Sequence, residues 1–145
     1  LVFFGPVAVG GTYFTQSFEI NAAVVLAGLG PGLLSVAILT INNLRDIGSD
    51  AKTGKHTLAV RFGRSFAICE YLFCIIAASL TPVLIYSLIQ DHIGILACSA
   101  ISLIAIPTIK TVATHSDGPS LNQALAATGR LLMAYSFIFA LGWAL

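Results

Sequence analysis

The chain alternates between long apolar stretches and short polar breaks. A helix needs about 20 apolar residues to cross the hydrocarbon core of a bilayer. Four stretches are that long, and a fifth, at the start, is shorter, so we expect a helix there that begins before Leu1. We therefore predict four complete membrane spans and one partial span. The five segments are Leu1–Thr15, Ala22–Leu44, Phe66–Gln90, Ile93–Thr114 and Leu121–Leu145.

The second apolar segment contains the sequence Gly28-Leu-Gly-Pro-Gly32. Gly28 and Gly32 form a GxxxG pattern, in which two small residues one turn apart let another helix approach closely. Pro31 is expected to bend the helix. We predict close helix packing at this point, and the motif by itself indicates no function.

The composition supports a membrane protein. Hydrophobic residues make up 57% of the 145 residues and charged residues 9%, and the mean hydropathy is +0.94. Soluble domains carry roughly 25% charged residues, which cover their surface in water. We therefore predict an all-α, polytopic transmembrane bundle. No phosphate-binding glycine loop, GxSxG motif or Rossmann fingerprint is present, and a net charge of +1 does not indicate a nucleic-acid partner.

The seven basic residues are unevenly placed. Five lie in or directly after the polar hinge, which we define as Asn42–Gly63, and they are Arg45, Lys52, Lys55, Arg61 and Arg64. The turns around Glu19 and Asp91 contain no Lys or Arg. The positive-inside rule then predicts that the loop 45–64 and the His115 loop are cytoplasmic, and that the C-terminus is outside.

The hinge also holds the only closely spaced acids, Asp46 and Asp50. Their spacing of four stacks both carboxylates on one helix face, and the same spacing adds Asn42, with Asn43 beside it. Carboxylate and amide oxygens are ligands for hard divalent cations. The nearby cations would repel a bare metal ion but would attract an anion, so a Mg²⁺-diphosphate pair satisfies both sets of charges. These cations are Arg45, Lys52, Lys55 and Arg61.

Other interpretations remain open at this point. The two acids could form only an ion-pair network with Arg45 and Lys55. Glu70 could pair with Arg64 or reach the headgroups, and Arg130 could face the same cavity as the hinge or anchor the last helix at the interface.

The segment Asn42–Val60 reads Asn-Asn-x-Arg-Asp-x-x-x-Asp followed by Gly-Lys-x-Thr-Leu-Ala-Val. It resembles the second aspartate-rich motif of the UbiA-type intramembrane prenyltransferases, in particular the menaquinone branch that prenylates 1,4-dihydroxy-2-naphthoate. The start, the helix lengths and the ending resemble helices 5 to 9 of that nine-helix fold. Residues 1–145 are thus expected to be the C-terminal part of a single prenyltransferase domain in the cell membrane.

The resemblance implies roles for the hinge residues. Asp46 and Asp50 would be catalytic residues that bind Mg²⁺ bridging the diphosphate of a polyprenyl donor. The implied diphosphate-binding residues are Asn42, Asn43, Arg45, Lys55 and Arg61. The electron-rich ring of 1,4-dihydroxy-2-naphthoate would attack the allylic carbon, with loss of CO₂, to give demethylmenaquinol for menaquinone synthesis.

One element of the family pattern is missing from this sequence. The family carries a first aspartate-rich motif resembling NDxxDxxxD on an earlier helix pair, and no such motif occurs here. We expect the chain to be inactive until joined to an N-terminal half that supplies it. Two alternatives are the same fold with 4-hydroxybenzoate or homogentisate as acceptor, and a transporter fragment in which Asp46 and Asp50 line an ion path.

Overall fold

The computed structural model describes residues 1–145 and consists of helices without strands. A π-helical turn, Phe3–Val7, leads into the first α-helix. We number the six helices α1 (Ala8–Ser17), α2 (Ala22–Arg45), α3 (Ile47–Lys52), α4 (Leu58–Ile89), α5 (Ile93–Thr114) and α6 (Gly118–Ala144). Helix α5 begins as a 3-10 helix, Ile93–Ala100, and continues as two α-helical pieces.

Helices α2, α4, α5 and α6 are each long and apolar enough to cross a membrane. The prediction of four complete spans in an all-α bundle is therefore confirmed. Helix α4 starts before the predicted Phe66, because Thr57 caps an earlier turn by accepting a hydrogen bond from the Val60 amide at 3.2 Å. Helix α6 likewise starts early, at Gly118, because the Asp117 carboxylate accepts a hydrogen bond from the Ser120 amide at 2.9 Å.

Gly63 separates the first turn of α4 from the long apolar part of the helix. Its backbone angles, φ 82° and ψ 178°, lie in a region that residues with a side chain rarely adopt. The chain therefore changes direction at Gly63, and the segment 58–62 is set apart from the span that follows.

The four long helices share one apolar core. Helix α2 packs against α4 and α6, and α5 packs against the same two helices. Leu34 and Ile41 of α2 and Leu121 of α6 are fully buried within it. The core contains one polar link between α4 and α6, a 3.0 Å hydrogen bond between the hydroxyl groups of Tyr71 and Thr128, both of which are fully buried. This bond satisfies two hydroxyl groups where water cannot reach them.

Small residues set the distance between α2 and its neighbours. A Cβ added to Gly28 would lie 2.7 Å from main-chain atoms of Gly5 and Pro6, and one added to Gly32 would lie 3.0 Å from Gly5. On another face of α2, Gly30 lies directly against the phenol of Tyr135 in α6. The structure thus agrees with the close packing that the GxxxG pattern predicts. Helix α2 is interrupted at Gly28, between Ala22–Ala27 and Leu29–Arg45, three residues before Pro31, although the backbone angles of Gly28 stay helical.

The loop 45–64 and the His115 loop lie at the same end of the bundle. The guanidinium of Arg64 donates to the carbonyl oxygens of Val112 at 2.9 Å and His115 at 2.5 Å, which joins the start of the α4 span to the end of α5. At the opposite end, the rings of His92 and Trp143 stack with centroids 4.6 Å apart. The loop 45–64 and the His115 loop therefore face one side and the Asp91 turn faces the other.

We expect Gly28→Ala to destabilise the protein by roughly 1–3 kcal/mol, because the new methyl group would meet main-chain atoms that cannot rotate away. Gly11→Ala is the matched control, since nothing lies within 4 Å of a Cβ at this helical position, and it should be neutral or stabilising by up to about 1 kcal/mol. Thermal unfolding of both variants in detergent measures the difference. Equal midpoints for the two variants would contradict the packing role of Gly28.

Candidate active site

The candidate site begins where α2 ends. Asp46 has φ −95° and ψ 7°, which breaks the helix between α2 and α3. The backbone hydrogen bonds nevertheless continue with a spacing of four, from the Asp46 amide to the Asn42 carbonyl at 3.1 Å and from the Asp50 amide to the Asp46 carbonyl at 2.8 Å. Asn42, Asp46 and Asp50 are therefore one turn apart across the break, as their spacing predicts.

The side chain of Arg45 connects the other residues of this site. Its Nε and one terminal nitrogen donate to the two carboxylate oxygens of Asp46 at 2.8 and 2.7 Å, which is a bidentate ion pair. The nitrogen that binds Asp46 also donates to Oδ1 of Asn42 at 2.9 Å. The other terminal nitrogen donates to Oδ1 of Asn122 at 2.6 Å, which ties the end of α2 to the first turns of α6. A planar guanidinium can serve all three acceptors at once.

Asp50 and Lys55 form a second ion pair. The carboxylate of Asp50 is buried, with 9% of its side chain exposed, and it accepts a hydrogen bond from Nζ of Lys55 at 3.0 Å. The Lys55 amide also donates to the Asp50 carbonyl at 2.9 Å, which closes a turn through Gly54 at φ 73°. Since 68% of the Lys55 side chain is exposed, its ammonium group remains accessible to a ligand.

These contacts control the charge on Asp46. Hydrogen bonds from Arg45, together with the positive charges of Arg45 and Lys55, hold the pKa of the Asp46 carboxyl below its ordinary value of 3.8. Asp46 is therefore an anion at neutral pH. The two acids and two cations make a compact site in which each charge is already compensated.

Two of the predicted site residues, and the neighbouring Lys52, are less closely involved. Asn43 is half-buried beside Asn42 and makes no side-chain hydrogen bond within the chain. Arg61 is exposed on the first turn of α4 and has no hydrogen bond or ion pair with the acids. Lys52 is also exposed at the end of α3. The structure therefore groups Asn42, Arg45, Asp46, Asp50 and Lys55, and it leaves Arg61 outside this group.

Asn122 is the contact that the sequence interpretation missed. It lies in the second turn of α6, on the side of the bundle that carries the hinge, and its position next to a helix start was the only available signal. Its contact with Arg45 spans 77 positions of sequence. Only the packing of α6 against α2 brings the two residues together.

Two of the open interpretations for polar residues inside the spans are wrong. Arg64 does not pair with Glu70, because its guanidinium caps the carbonyl end of α5. Glu70 instead accepts a 3.1 Å hydrogen bond from the hydroxyl of Thr40 on α2. Arg130 does not face the hinge residues and lies in a groove between α5 and α6.

The oxygen donors of the hinge fit a divalent cation that brings other ligands with it. The chain contains no group of three or more His, Cys, Asp or Glu side chains that could hold a metal ion. Asp46 and Asp50 supply two carboxylates, and Asn42 lies one turn before them. Mg²⁺ commonly binds one or two protein carboxylates and completes its octahedral shell with phosphate oxygens and water. The residues present fit that mode of binding and do not form a complete protein cage.

Comparisons with known proteins agree on one family. A model of the UbiA prenyltransferase family matches residues 1–138. The chain is similar to proteins named 1,4-dihydroxy-2-naphthoate octaprenyltransferase. The Haemophilus influenzae protein is 59% identical over 63 residues, covering 43% of this chain and 20% of the relative. The Escherichia coli protein is 41% identical over 92 residues, covering 63% of this chain and 30% of the relative. The Mycobacterium leprae protein is 33% identical over 140 residues, covering 96% of this chain and 46% of the relative.

The chain spans less than half the length of these curated relatives. No solved structure matches it.

We expect Arg45→Met to raise the pKa of Asp46 toward 3.8, because the hydrogen bonds that lower it would be lost. Because the pKa of Asp46 is lower in the folded than in the unfolded protein, the Arg45–Asp46 pair stabilises the folded protein at pH values above the unfolded pKa. That contribution disappears as the pH falls through the folded pKa. A carbon-detected NMR titration of the Asp46 carboxyl measures the shift. Arg61→Met is the control and should leave the titration unchanged, and an unshifted Asp46 in the Arg45 variant would contradict the assignment.

Proposed function

Because this chain belongs to the UbiA prenyltransferase family, we propose that it forms part of the active site of a membrane enzyme that prenylates 1,4-dihydroxy-2-naphthoate. The four apolar spans and the family membership make it a multi-pass membrane protein. The donor in this proposal is a polyprenyl diphosphate. The reaction replaces the carboxylate of the naphthoate by the prenyl group, releases CO₂ and diphosphate, and gives demethylmenaquinol for menaquinone synthesis. The names of the relatives support this choice of acceptor.

The observation that carries the proposal is the pairing of acids and cations at the hinge end of the apolar spans. Asp46 binds Arg45 and Asp50 binds Lys55, so the site offers both anionic and cationic groups within one turn of helix and the loop that follows. A substrate that consists of a diphosphate and a long apolar chain needs this combination. Its head can bind the polar hinge while its prenyl tail stays against apolar helices.

Mg²⁺ is the cofactor that we propose for this site. Asp46 and Asp50 would hold it, and when bound it would supply positive charge to the departing diphosphate. The protein's own cations act on the same group. Arg45 can present two parallel N–H donors to phosphate oxygens, and the exposed ammonium of Lys55 can turn from Asp50 toward a ligand. Both interactions strengthen as negative charge develops on the leaving group.

The amide side chains assist in binding. Asn42 is held by Arg45, which fixes the direction of its amide, and Asn43 has free donors and acceptors for diphosphate oxygens. Arg61, exposed on the first turn of α4, is a weaker candidate for contributing charge to the diphosphate. In the complete active site, apolar surroundings would exclude water and so protect an allylic cation from hydrolysis until the ring attacks it.

The remaining metal ligands would lie on a segment that is not among these 145 residues. That segment would carry the first aspartate-rich motif and the other wall of the cavity. Two carboxylates would bind Mg²⁺ only weakly, and a half-open groove would leave the diphosphate hydrated. We therefore expect Leu1–Leu145 alone to form no prenylated product, and co-expression with the missing segment to restore some activity.

The same prenyl-transfer assay tests the two other acceptors, when 4-hydroxybenzoate or homogentisate replaces the naphthoate. The site argues against a transporter, because Asp46 and Asp50 lie at the end of α2 and beyond it, paired with hinge cations. An ion pathway would place acids near the middle of the bilayer.

We expect Asp46→Asn and Asp50→Asn each to lower prenyl transfer by at least about 100-fold, because each change removes a negative charge that a metal-bound diphosphate requires. The measurement is the formation of prenylated product from labelled donor, by the chain joined to the segment with the first motif. Lys52→Gln, an exposed hinge position outside both ion pairs, should keep near-normal turnover. Near-normal turnover of either Asp variant would show that Asp46 and Asp50 form only a structural ion-pair network.

The proposed location is the cell membrane, with the loop 45–64 in the cytoplasm and the C-terminus outside. The positive-inside rule supports this orientation, since the two loops with basic residues nearby share one end of the bundle. Single cysteines at Thr53 and Asp91, both exposed, should react with impermeant reagents from opposite sides. Thr53→Cys should be labelled from the cytoplasm and Asp91→Cys from outside, in a background where Cys69, Cys74 and Cys98 are replaced. The reverse pattern would invert the proposed topology.

A further inference from the structure

Arg130 is the one basic residue that lies well inside a span without a partner. Its side chain is exposed on α6 and takes part in no hydrogen bond or ion pair within the chain. Neither α5 nor α6 contains an Asp or Glu, so no acid on these two helices can neutralise its charge. An arginine at such a depth needs an anionic or polar partner, because a bare guanidinium in hydrocarbon is costly.

The position of Arg130 favours a partner at the hinge end. The polar start of α6 continues to Gln123, so Arg130 lies about 10 Å farther along the helix, at 1.5 Å per residue. Helix side chains tilt toward the N-terminus of their own helix, which for α6 is the hinge end. The long side chain of Arg130 can therefore extend toward the headgroups on that side of the membrane.

A groove between α5 and α6 surrounds this side chain. It consists of two adjoining cavities of about 220 and 270 Å³, and Thr108, Ala127 and Arg130 line both. The cavity nearer the hinge also has Thr111 and Gln123 in its wall. The deeper cavity has instead the apolar side chains Ile104, Leu131 and Ala134. The lining of the groove thus changes from polar to apolar with depth, and Arg130 lies at the boundary between the two parts.

We propose that this groove binds an anionic phospholipid from the leaflet on the hinge side. Its phosphate contacts the guanidinium of Arg130, and the amide of Gln123 in the same wall is placed to donate to the headgroup. One acyl chain follows Ile104 and Leu131 toward the middle of the bilayer. Arginine suits this role because its planar donors match phosphate oxygens in pairs. Lys110, exposed near the end of α5, adds positive charge on the same side.

The groove and the hinge are separate sites. Arg130 makes no contact with Arg45, Asp46, Asp50 or Lys55, whose contacts are with one another, with Asn42 and with Asn122. The inference therefore does not rest on the prenyltransferase proposal. A loss of lipid binding at Arg130 and a loss of prenyl transfer at Asp46 are independent results.

The test is native mass spectrometry of the purified chain titrated with phosphatidylglycerol or phosphatidylcholine. We expect the parent chain to bind phosphatidylglycerol more tightly, because the choline cation of phosphatidylcholine offsets its phosphate charge. Arg130→Gln should weaken phosphatidylglycerol binding about tenfold and phosphatidylcholine binding less, since a charge-assisted hydrogen bond is lost. Ala127→Leu should also weaken binding, because it fills both cavities without a change of charge. Lys52→Gln removes one positive charge outside the groove and should have no effect.

Circular dichroism and the thermal midpoint of each variant verify that the fold is retained. Equal affinity of Arg130→Gln and the parent chain for phosphatidylglycerol would overturn the proposal, as would an equal loss in Lys52→Gln. Displacement of the lipid by millimolar inorganic phosphate would also overturn it, because the site would then recognise free phosphate and not a lipid. The titration is also repeated with a longer protein that contains this chain. If an acidic side chain there pairs with Arg130, Arg130→Gln will not lower the affinity for phosphatidylglycerol tenfold, and the lipid assignment fails.

Discussion

A charged side chain is costly inside a bilayer, and this cost determines where the polar contacts of the protein lie. The two ion pairs, Arg45 with Asp46 and Lys55 with Asp50, are both at the hinge end of α2. Arg64 uses its charge on the free carbonyl groups at the end of α5, where a helix carries partial negative charge. Most charged side chains therefore lie at one end of the bundle, and apolar packing dominates the interior, where Glu70 and Arg130 are the charged exceptions.

Close packing holds α2 against its neighbours on several faces. Gly28 and Gly32 admit the backbone of the N-terminal segment, and Gly30 admits the ring of Tyr135 from α6. The packing of α2 against α6 also brings Arg45, at the far end of α2, within reach of Asn122. The hinge site therefore depends on contacts deep in the membrane, although its own residues lie at the surface of the bundle. A site that must hold a substrate in one orientation benefits from such support.

The charges of the hinge are balanced before any ligand binds. Each acid has a cation as its partner, so neither is an isolated charge beside the membrane. A ligand that carries both a metal ion and phosphate groups can replace these partners pair by pair, with the metal ion on the carboxylates and the phosphates on the cations. Exchange of this kind conserves the number of charge contacts, and a bare cation or a bare anion could satisfy only half of the site.

The sequence alone determined the spans and the spacing of the hinge residues, because both depend on local properties. Hydrophobicity over about 20 residues identifies a span, and hydrogen bonds between residues four apart place Asn42, Asp46 and Asp50 on successive turns. Only the tertiary structure decided which side chains meet across helices. Arg45 with Asn122, Arg64 with His115 and Thr40 with Glu70 are separated by 77, 51 and 30 positions. Such pairs depend on how α2, α4, α5 and α6 pack and rotate against one another, and no pattern of hydrophobic and polar residues within one helix records that rotation.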